Sequence, residues 1–525
     1  MAGDNIEVKR LVDKPQGEFW GYQTEGNYDI KDCSSAAHVY GKQIASGEAF
    51  TDITYKHSLA DIKNLADYAF AFGINELVVC ASAYQPWVRE NEEFKINTAN
   101  GRQYVLNRLN TLWPMSRPFW DYQARCSWML RQGKPVSDIC IYLGDDVPIR
   151  ILSHRLPDLP QGYDFDAFTT DALKHRMTVK DRRIVLPDGT SYGMMILPPD
   201  GQIPEDIRLL IDSFRQQGVA IYHQPAITTH EGQRAGLEQA ISEAGLTPDV
   251  VAPAVKGLYF CHRRIATEDI YFLNNHSDRD VADRFRFRTT ATSAALWNPV
   301  TGERTPLAMT TEDGYTAIDL TLRPRESFFV VTNRTESKSI EDSATHRLTT
   351  QRPSSIIQPL VADGPWTVTF DTAMGGPTEP VVFPALTDWT ESSDPRIKYY
   401  AGTAIYKNTF TLKRSLFTKG VKGSRNEATY SLNLQLRNAA AEVIVNGRSA
   451  GVVWCSPWSV DITRLLKRGQ NKIELRVANT LWNRLVGDAR LTEAERTTWQ
   501  THPLAKPDEK LQPSGLTGCS IEITR

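Results

Sequence analysis

The spacing of apolar residues along the chain changes near residue 256. Before this point short strand-like runs alternate with helical ones, and beyond it strand-like runs follow one another with Gly, Asn and Pro between them. Alternation of strand and helix predicts a parallel sheet with crossover helices, whereas consecutive short strands predict a β-sandwich. The chain is therefore expected to be multidomain, with α/β parts followed by all-β parts. Its 525 residues are enough for about three to five domains.

This pattern divides the chain into four segments. The first alternates strands and helices, with helices predicted over 28–40 and 58–72. The second is predicted to be a small doubly wound, flavodoxin-like α/β domain. The third is predicted to be a β-sandwich and the fourth an all-β domain of the jelly-roll type. The segments are residues 1–150, 151–255, 256–345 and 346–525.

Composition narrows the class of partner. Because 60 Lys and Arg residues balance 62 Asp and Glu residues, neither nucleic acid nor an anionic membrane is expected as a partner. The chain begins without the apolar segment of an export signal, and no run of about 18 apolar residues suggests a membrane span. The seven cysteines are widely spread without metal-ligand spacing, so free thiols are predicted. The aromatic residues are interpreted mainly as β-rich core, with sugar stacking as the alternative.

Glu18 and Glu48 are the residues that most directly suggest chemistry. Each follows a small residue, stands near an aromatic one and is expected at the end of a short strand, with a single helix between them. Neighbouring parallel strands present their C-terminal ends on the face where barrel active sites lie. Two carboxylates at one cleft are typical of glycoside hydrolysis, in which one protonates the leaving oxygen and the other activates water or attacks the sugar. The alternative is two ordinary loop glutamates held by helix caps or arginines.

Several side chains near the same predicted end suit a sugar. Gln85 can hydrogen-bond hydroxyls while Trp87 stacks on a ring face. His38, late in the first predicted helix, is either a sugar-binding residue or a structural hydrogen-bonding one. The predicted substrate-binding residues are Trp20, His38, Tyr84, Gln85 and Trp87, with Phe19 as a further ring at the sugar.

The sequence motifs of three other protein classes are absent. It has no GxSxG nucleophile elbow, no Walker A loop and no HExxH helix, which weakens the serine-hydrolase, nucleotide and zinc-protease interpretations. In the last segment Asn446-Gly447 is predicted to be a hairpin turn. Trp454, Trp458 and Trp482 are interpreted there as core residues, with a sugar platform as the alternative.

Longer motifs run along essentially the whole chain: GEFW, SSAAHVYGK leading into GEAFT, AYQPW, GRQYVLNRLNTLW, DYQARCSWMLRQGK, GYDFDAF, YYAGTAIYKNTF, VNGRSAGVVWCSPWSVDIT, ANTLWNRLVGD and PSGLTG. Taken in order, they resemble the glycoside hydrolase family 106 α-L-rhamnosidases. The N-terminal motifs are the more specific, because the C-terminal ones also resemble the sugar-binding jelly rolls of family 2 β-galactosidase relatives.

The resemblance implies that residues 1–150 are the C-terminal part of a (β/α)8 barrel and that 346–525 are a galactose-binding-like jelly roll. It implies inverting hydrolysis of terminal α-L-rhamnosyl linkages in polysaccharides or glycosides, with a calcium ion whose ligands the motifs do not identify. Glu48 matches the general base and Glu18 a second active-site carboxylate, although the two roles could be exchanged. The implied ligand is a rhamnose-containing oligosaccharide or polysaccharide, and the implied location is the periplasm or exterior of a bacterium.

The sequence departs from the family at its start. Members carry a long region before GEFW that supplies most of the barrel and the general-acid glutamate, whereas 17 residues precede Glu18 here. The expectation is a fragment incomplete for catalysis, with the missing N-terminal half as its partner. The alternative function is a non-catalytic carbohydrate-binding protein that uses its C-terminal jelly roll.

Overall fold

The computed structural model describes residues 3–21, 29–80, 95–96, 106–144, 151, 159–198, 203–225, 230–334, 355–359, 364–412, 428–500 and 502–524. The chain divides into two compact units. The first comprises Met1–Phe50, Asn64–Val79 and Tyr122–Thr350, and the second comprises Thr51–Lys63, Cys80–Asp121 and Gln351–Arg525. The predicted boundaries at 150 and 255 lie inside the first unit, and the division into four segments stays a prediction.

Helices and strands are numbered separately along the chain. The helices are α1 (Asn5–Arg10), α2 (Asp29–Val39), α3 (Leu59–Ala71), α4 (Arg117–Leu130), α5 (Thr170–His175), α6 (Glu205–Gln216), α7 (His230–Glu243), α8 (Pro395–Lys398) and α9 (Trp482–Asp488). Strands up to residue 333 are β1 (Gln16–Trp20), β2 (Ser46–Thr51), β3 (Glu76–Val79), β4 (Lys95–Ile96), β5 (Lys134–Pro135), β6 (Ile139–Tyr142), β7 (Phe165–Phe168), β8 (Thr178–Lys180), β9 (Arg183–Val185), β10 (Ser191–Tyr192), β11 (Met194–Leu197), β12 (Ala220–His223), β13 (Val250–Val251), β14 (Leu258–Arg264), β15 (Glu268–Asn275), β16 (Val281–Phe287), β17 (Ser293–Trp297), β18 (Arg304–Leu307), β19 (Thr310–Glu312), β20 (Tyr315–Leu322) and β21 (Ser327–Asn333). The later strands are β22 (Ser355–Pro359), β23 (Trp366–Phe370), β24 (Val381–Phe383), β25 (Thr403–Leu412), β26 (Thr429–Arg437), β27 (Ala439–Val445), β28 (Arg448–Val453), β29 (Ser459–Asp461), β30 (Gly469–Asn479), β31 (Trp499–Gln500) and β32 (Gly515–Thr524).

The start of the first unit is a three-stranded sheet in the order β1-β2-β3, with α2 and α3 as the intervening helices. This confirms the predicted alternation, and α2 and α3 lie within the helices predicted over 28–40 and 58–72. Helix α2 packs against both β1 and β7. It is buried over nearly its whole length because it has a sheet on each side.

A second, four-stranded parallel sheet has the order β12-β11-β6-β7. Alternate residues of β6 enter two different cores: Ile141 packs with Leu237 of α7, whereas Tyr142 packs with Ile211 of α6. The sheet is therefore covered on both faces, as a doubly wound layer requires. One of its two inner strands, β6, comes from residues before 150, so the sheet extends across the boundary predicted at that position. The sequence pattern also did not single out α7.

The rest of the first unit is antiparallel. Two sheets, β13-β16-β20-β19 and β18-β17-β21-β15-β14-β5, enclose a core that includes Tyr271, Phe285 and Val330. No helix occurs between residues 244 and 334, all of which the structure describes. The predicted change from alternating to consecutive strands is thus confirmed. A small antiparallel sheet, β10-β9-β8, precedes this part.

The second unit contains the antiparallel sheets β22-β32-β26-β29 and β24-β23-β25-β30-β27-β28. Asn446 and Gly447 join β27 to β28 with φ values of 53° and 80°, the left-handed conformation that a tight hairpin turn needs. Trp454 and Trp482 are buried, which confirms their interpretation as core. Trp458 is half-buried. The jelly-roll topology stays a prediction.

The predicted chemistry of the cysteines is confirmed, because all seven are free and five of them are buried. Burial raises the pKa of the Cys33 thiol to about 12, so this group stays protonated at neutral pH. Among the helices of the described residues, none has an apolar stretch long enough to cross a bilayer.

Candidate active site

Strands β1 and β2 start side by side over the thiol of Cys33. Its Sγ lies 3.1 Å from the carbonyl oxygen of Pro15 and 3.2 Å from that of Ser46. These two carbonyls stand at the N-terminal starts of the two strands. The strands therefore leave a common starting edge and run in the same direction.

Backbone hydrogen bonds then fix the register of the two strands. In the parallel pair of β2 and β3, Ser46 is paired with Glu76, whose amide donates to the carbonyl just before Ser46. The Ser46 amide donates in the same way to the Pro15 carbonyl, at 2.9 Å, which pairs Ser46 with the first residue of β1. Two residues further along both strands, Glu18 stands opposite Glu48. Their backbones are therefore about 4.8 Å apart, the spacing of neighbouring strands.

Both glutamates face away from the helices. A Cβ added at Gly17 would lie 2.5 Å from the carbonyl oxygen of the first residue of α2, and one added at Gly47 would lie 3.1 Å from the ring of Phe19. Gly17, Phe19 and Gly47 thus share the helix side of the sheet. Because successive residues of a strand point to opposite faces, Glu18 and Glu48 share the other side.

This second face of the sheet is open to solvent within the part of the chain that the structure describes. Glu18, Glu48 and Trp20 are half-buried. Val78, the β3 residue paired with Glu48, is 43% exposed. Parallel sheets with both faces covered are apolar and buried at such positions. An exposed valine beside two carboxylates therefore marks a face that is not part of a core.

The backbone just after Glu48 is strained. Phe50 has φ of 71° and Asp52 has φ of 61°, the left-handed region that bulky residues rarely adopt. Each such residue costs about 1–3 kcal/mol, and such residues cluster at functional sites, where the surrounding structure enforces them. The strain following Glu48 is a second sign of a site.

Asp29, at the start of α2, fixes the backbone at Glu18. Its Oδ2 accepts a hydrogen bond from the Glu18 amide at 2.8 Å. Its Oδ1 accepts from Asn5 Nδ2 at 2.8 Å and from Lys9 Nζ at 2.9 Å. The buried Lys9 and the side-chain amide of Asn5, both from α1, thus fix the Asp29 carboxylate, which in turn binds the backbone amide of Glu18. Sequence reasoning missed Asp29, since an acidic residue in a first helical turn is ordinarily explained by the helix dipole.

Asp32, one turn further along α2, is fully buried. Its Oδ1 accepts from the Ile151 amide at 2.9 Å and its Oδ2 from Asn5 Nδ2 at 2.7 Å. Burial raises the pKa of the Asp32 carboxyl to about 6, in spite of these hydrogen bonds. Asp32 was also missed, and it belongs to the same support beneath Glu18.

His38 does not lie with the carboxylates. It is 6% exposed, and its Nδ1 is 2.8 Å from Oδ1 of Asp166 in β7. Tyr192 donates to the other oxygen of Asp166 at 3.0 Å. Burial would raise the pKa of Asp166, but the charge of His38 and its hydrogen bond hold it below the usual value. Late residues of a crossover helix lie at the N-terminal end of the strands, so the expected sugar contact is replaced by a structural one.

Two further expectations need correction. Phe19 is 2% exposed and packs edge-on against Phe50, with ring centroids 5.5 Å apart, so it is a core residue and not a ring at the sugar. Glu18 and Glu48 stand in the third positions of their strands, not at the ends, because the aromatic residues after them continue the pairing. Trp20 shares the face of Glu18. Tyr84, Gln85 and Trp87 lie outside the described residues.

The resemblance predicts a calcium ion, which needs a suitable set of ligands. Calcium takes six to eight oxygen ligands, usually including several carboxylates. Within the part of the chain that the structure describes, no group of three or more His, Cys, Asp or Glu side chains is placed to hold a metal ion. The calcium ion implied by the resemblance stays a prediction.

The chain is similar in sequence and in fold to known proteins. The sequence profile of the glycoside hydrolase family 106 α-L-rhamnosidases matches residues 1–229 and 228–311, more than half of the chain. The solved rhamnosidase from Novosphingobium sp. PP1Y superposes with a TM-score of 0.85 at 26% identity, over 99% of this chain and 52% of that one.

A curated protein of Formosa agariphila, which carries a provisional beta-glucuronidase name, is 28% identical over 370 residues, 64% of this chain and 31% of that protein. The chain thus spans about half of the solved rhamnosidase and a third of the curated relative. With the family profile covering more than half of its residues, the chain belongs to glycoside hydrolase family 106, the α-L-rhamnosidases.

Proposed function

We propose that the chain acts in the hydrolysis of terminal α-L-rhamnosyl linkages, with Glu48 as the general base and Glu18 as a second carboxylate at the sugar. The observation that carries the proposal is the pairing of Glu18 with Glu48 on the open face of the first sheet. The rhamnosidase family and the solved rhamnosidase support the substrate class.

In the proposed reaction Glu48 accepts a proton from a water molecule while the water oxygen bonds to the anomeric carbon. The bond from that carbon to the leaving oxygen breaks, and a general acid protonates the leaving oxygen. Inverting enzymes keep the acid and the base ~6.5–9.5 Å apart to leave room for the water. Side chains extending in parallel from backbones about 4.8 Å apart are closer than this. We therefore assign Glu18 to the side of the sugar on which Glu48 acts and assign the acid to a different group.

The neighbours of the two glutamates have distinct tasks in this proposal. Trp20, two residues after Glu18 on the same face, offers an indole ring to the apolar face of the sugar. Asp29 acts on Glu18 through its amide and is a positioning residue. The strained backbone after Glu48 fixes the direction of that carboxylate before substrate arrives.

No observation favours the alternative of a carbohydrate-binding protein that uses its C-terminal sheets. Trp454 and Trp482 are buried in the second unit. A surface cavity of about 520 Å³ in that unit is lined by Pro, Thr, Lys, Asn, Ile, Gly and Glu residues, which provide no ring for a sugar to stack on.

Hydrolysis of an aryl α-L-rhamnoside, with the corresponding aryl β-D-glucuronide as the comparison substrate, tests the proposal. We expect slow release from the rhamnoside only, because an aryl leaving group departs without full protonation by the general acid that the expected N-terminal half would supply. The first product by NMR should be the β-anomer of L-rhamnose, because inversion changes the α-linkage to a β-hemiacetal. Saturation-transfer NMR reports L-rhamnose binding separately from turnover. Release from the glucuronide alone, or neither rhamnose binding nor rhamnoside hydrolysis, would contradict the proposal.

A further inference from the structure

A groove of about 380 Å³ lies in the first unit between α4 and the antiparallel sheet that contains β17, β18 and β21. Trp128 and Arg125 line it from the helix, and Trp297, Asn298, Glu303 and Arg304 line it from the sheet and its hairpin. Neither Glu18 nor Glu48 contributes to it. The groove therefore requires an explanation other than the carboxylate site.

Two indole rings dominate the groove. Trp128 is 57% exposed, although a ring of this size normally buries most of its surface. Trp297 is half-buried, and the guanidinium carbon of Arg304 lies 3.6 Å from its ring centre. A guanidinium stacked at this distance keeps the ring in one orientation and turns its own N–H groups outward in the plane of the stack.

The wall opposite Trp128 is preformed. Arg125 Nη1 donates to the carbonyls of Pro299 and Val300 at 2.9 and 3.1 Å, which ties the β17–β18 hairpin to α4. Asn298 Oδ1 accepts from the Val300 amide at 2.9 Å, which fixes the Asn298 side chain. The hairpin therefore presents its polar groups without having to reorganise when a ligand binds.

Polar groups remain available at the rim of this groove. Glu303 is exposed and uses Oε2 to accept from Thr301 at 3.3 Å. The amide Nδ2 of Asn298 and the N–H groups of the exposed Arg304 face no acceptor within the part of the chain that the structure describes. Donors of two kinds and a carboxylate acceptor thus surround two aromatic rings.

We propose that this groove is a second carbohydrate site, which binds a neutral oligosaccharide along Trp128 and Trp297. A pyranose ring satisfies both kinds of group at once, because its C–H face stacks on indole while its hydroxyls bond to planar amide, carboxylate and guanidinium groups. Of the two arginines in the lining, Arg125 is bound to the carbonyls of Pro299 and Val300, and the charge of Arg304 at the rim is balanced by that of Glu303, which favours an uncharged ligand. Such a site would hold a polymer while another part of it is cleaved.

Isothermal titration of the full chain with a short α-linked rhamnose oligosaccharide tests the site, and a dextran oligosaccharide is the comparison. All titrations use the Glu48→Gln background, so that hydrolysis does not consume the ligand. We expect Trp128→Ala to weaken rhamnose-oligosaccharide binding about tenfold or more, since a lost stacking ring is worth about 1.4 kcal/mol. Arg304→Ala is expected to act in the same direction.

Trp113→Ala is the matched control, because Trp113 is also an exposed tryptophan, at 40%, and does not line the groove. Affinity of Trp128→Ala equal to that of Trp113→Ala would overturn the proposal, as would absence of binding by the parent chain. A change in molar mass by light scattering without a change in affinity would identify a contact between two copies of the chain and also overturn it. Because binding is measured apart from turnover, failure of rhamnoside hydrolysis leaves this result interpretable.

Discussion

The two parallel sheets of the first unit differ in how their faces are used. Every residue of β6, β7 and β11 is buried, and apolar side chains cover both faces. In the sheet of β1, β2 and β3, Glu18, Trp20 and Glu48 are half-buried, and Val78 is 43% exposed. Both sheets arise from the same strand–helix alternation, and they share helix α2. Only the second is a closed core.

Their carboxylates differ in the same way. Asp166 in the second sheet is fully buried and bonded to His38 and Tyr192. Glu18 and Glu48 are half-buried on the open face of the first. A carboxylate within a covered sheet must be paired, since leaving it unpaired costs several kcal/mol. A carboxylate on an open face can be reached by a ligand. Position relative to the covered face therefore separates structural from functional acids here.

Replacing the functional acid gives the largest expected effect. Glu48→Gln should lower kcat on an aryl α-L-rhamnoside by about 10²–10⁴-fold, because the amide cannot accept a proton from the attacking water. Glu76→Gln is the matched control, since Glu76 stands at the start of the adjacent strand, where its carboxylate pairs with Lys14 and Arg131 at 3.2 Å. Equal rates for the two variants would remove the catalytic role assigned to Glu48.

Removing the structural acid should cost stability. Asp166→Ala leaves His38 and the Tyr192 hydroxyl buried without their partner, and we expect a loss of about 3–5 kcal/mol in the free energy of unfolding. Glu18→Gln, on the open face, should change it by about 0.5 kcal/mol or less. Urea unfolding followed by circular dichroism measures both. An Asp166→Ala chain as stable as Glu18→Gln would contradict the comparison.

The alternation of elements could be predicted from the sequence because it depends on local periodicity. Helices α2 and α3 were placed within one or two residues, and Glu18 and Glu48 were correctly placed on neighbouring strands with one helix between them. The pairing of the two glutamates could not be predicted, since it depends on which carbonyl receives the Ser46 amide. Register depends on how two strands pair, so the sequence of one strand does not determine it.

The remaining errors of the sequence-based predictions arise from contacts between residues that are distant along the chain. The sequence suggests His38 at the same end of the strands as the two glutamates, yet its partner Asp166 lies 128 residues away. Strand β6 precedes residue 150 but pairs with strands that follow it. A buried helix between two sheets presents polar residues to both, and sequence alone does not say which sheet receives which side chain.

The helix between the sheets supplies a pH-dependent prediction. The pKa of Asp32 is raised by burial to about 6, so between pH 4 and pH 6 the folded chain keeps a proton that the unfolded chain has lost. Unfolding free energy therefore falls as pH rises through this range, by up to about 3 kcal/mol for a shift of about two pH units.

Asp32→Asn cannot ionise, so its unfolding free energy should lack this fall. The measurement is chemical unfolding of both chains at pH 4, 5 and 6. The charge of Lys9 lowers the pKa of Asp32 and that of Asp29 raises it, and both residues are retained in the variant. Parallel pH profiles for the two chains would show that the pKa of Asp32 is not raised in the folded state.

The smallest expected effect is the most direct test of which face is open. Val78→Thr exchanges a methyl group for a hydroxyl of similar size at a position that is 43% exposed, so the unfolding free energy should change by about 0.5 kcal/mol or less. Ile141→Thr in β6 also introduces a hydroxyl, which would enter the apolar core shared with Leu237, and it removes a methylene as well, so a loss of about 2–5 kcal/mol is expected. Equal losses would mean that Val78 is covered in solution. In that case the face bearing Glu18 and Glu48 would be covered, as both faces of the second sheet are.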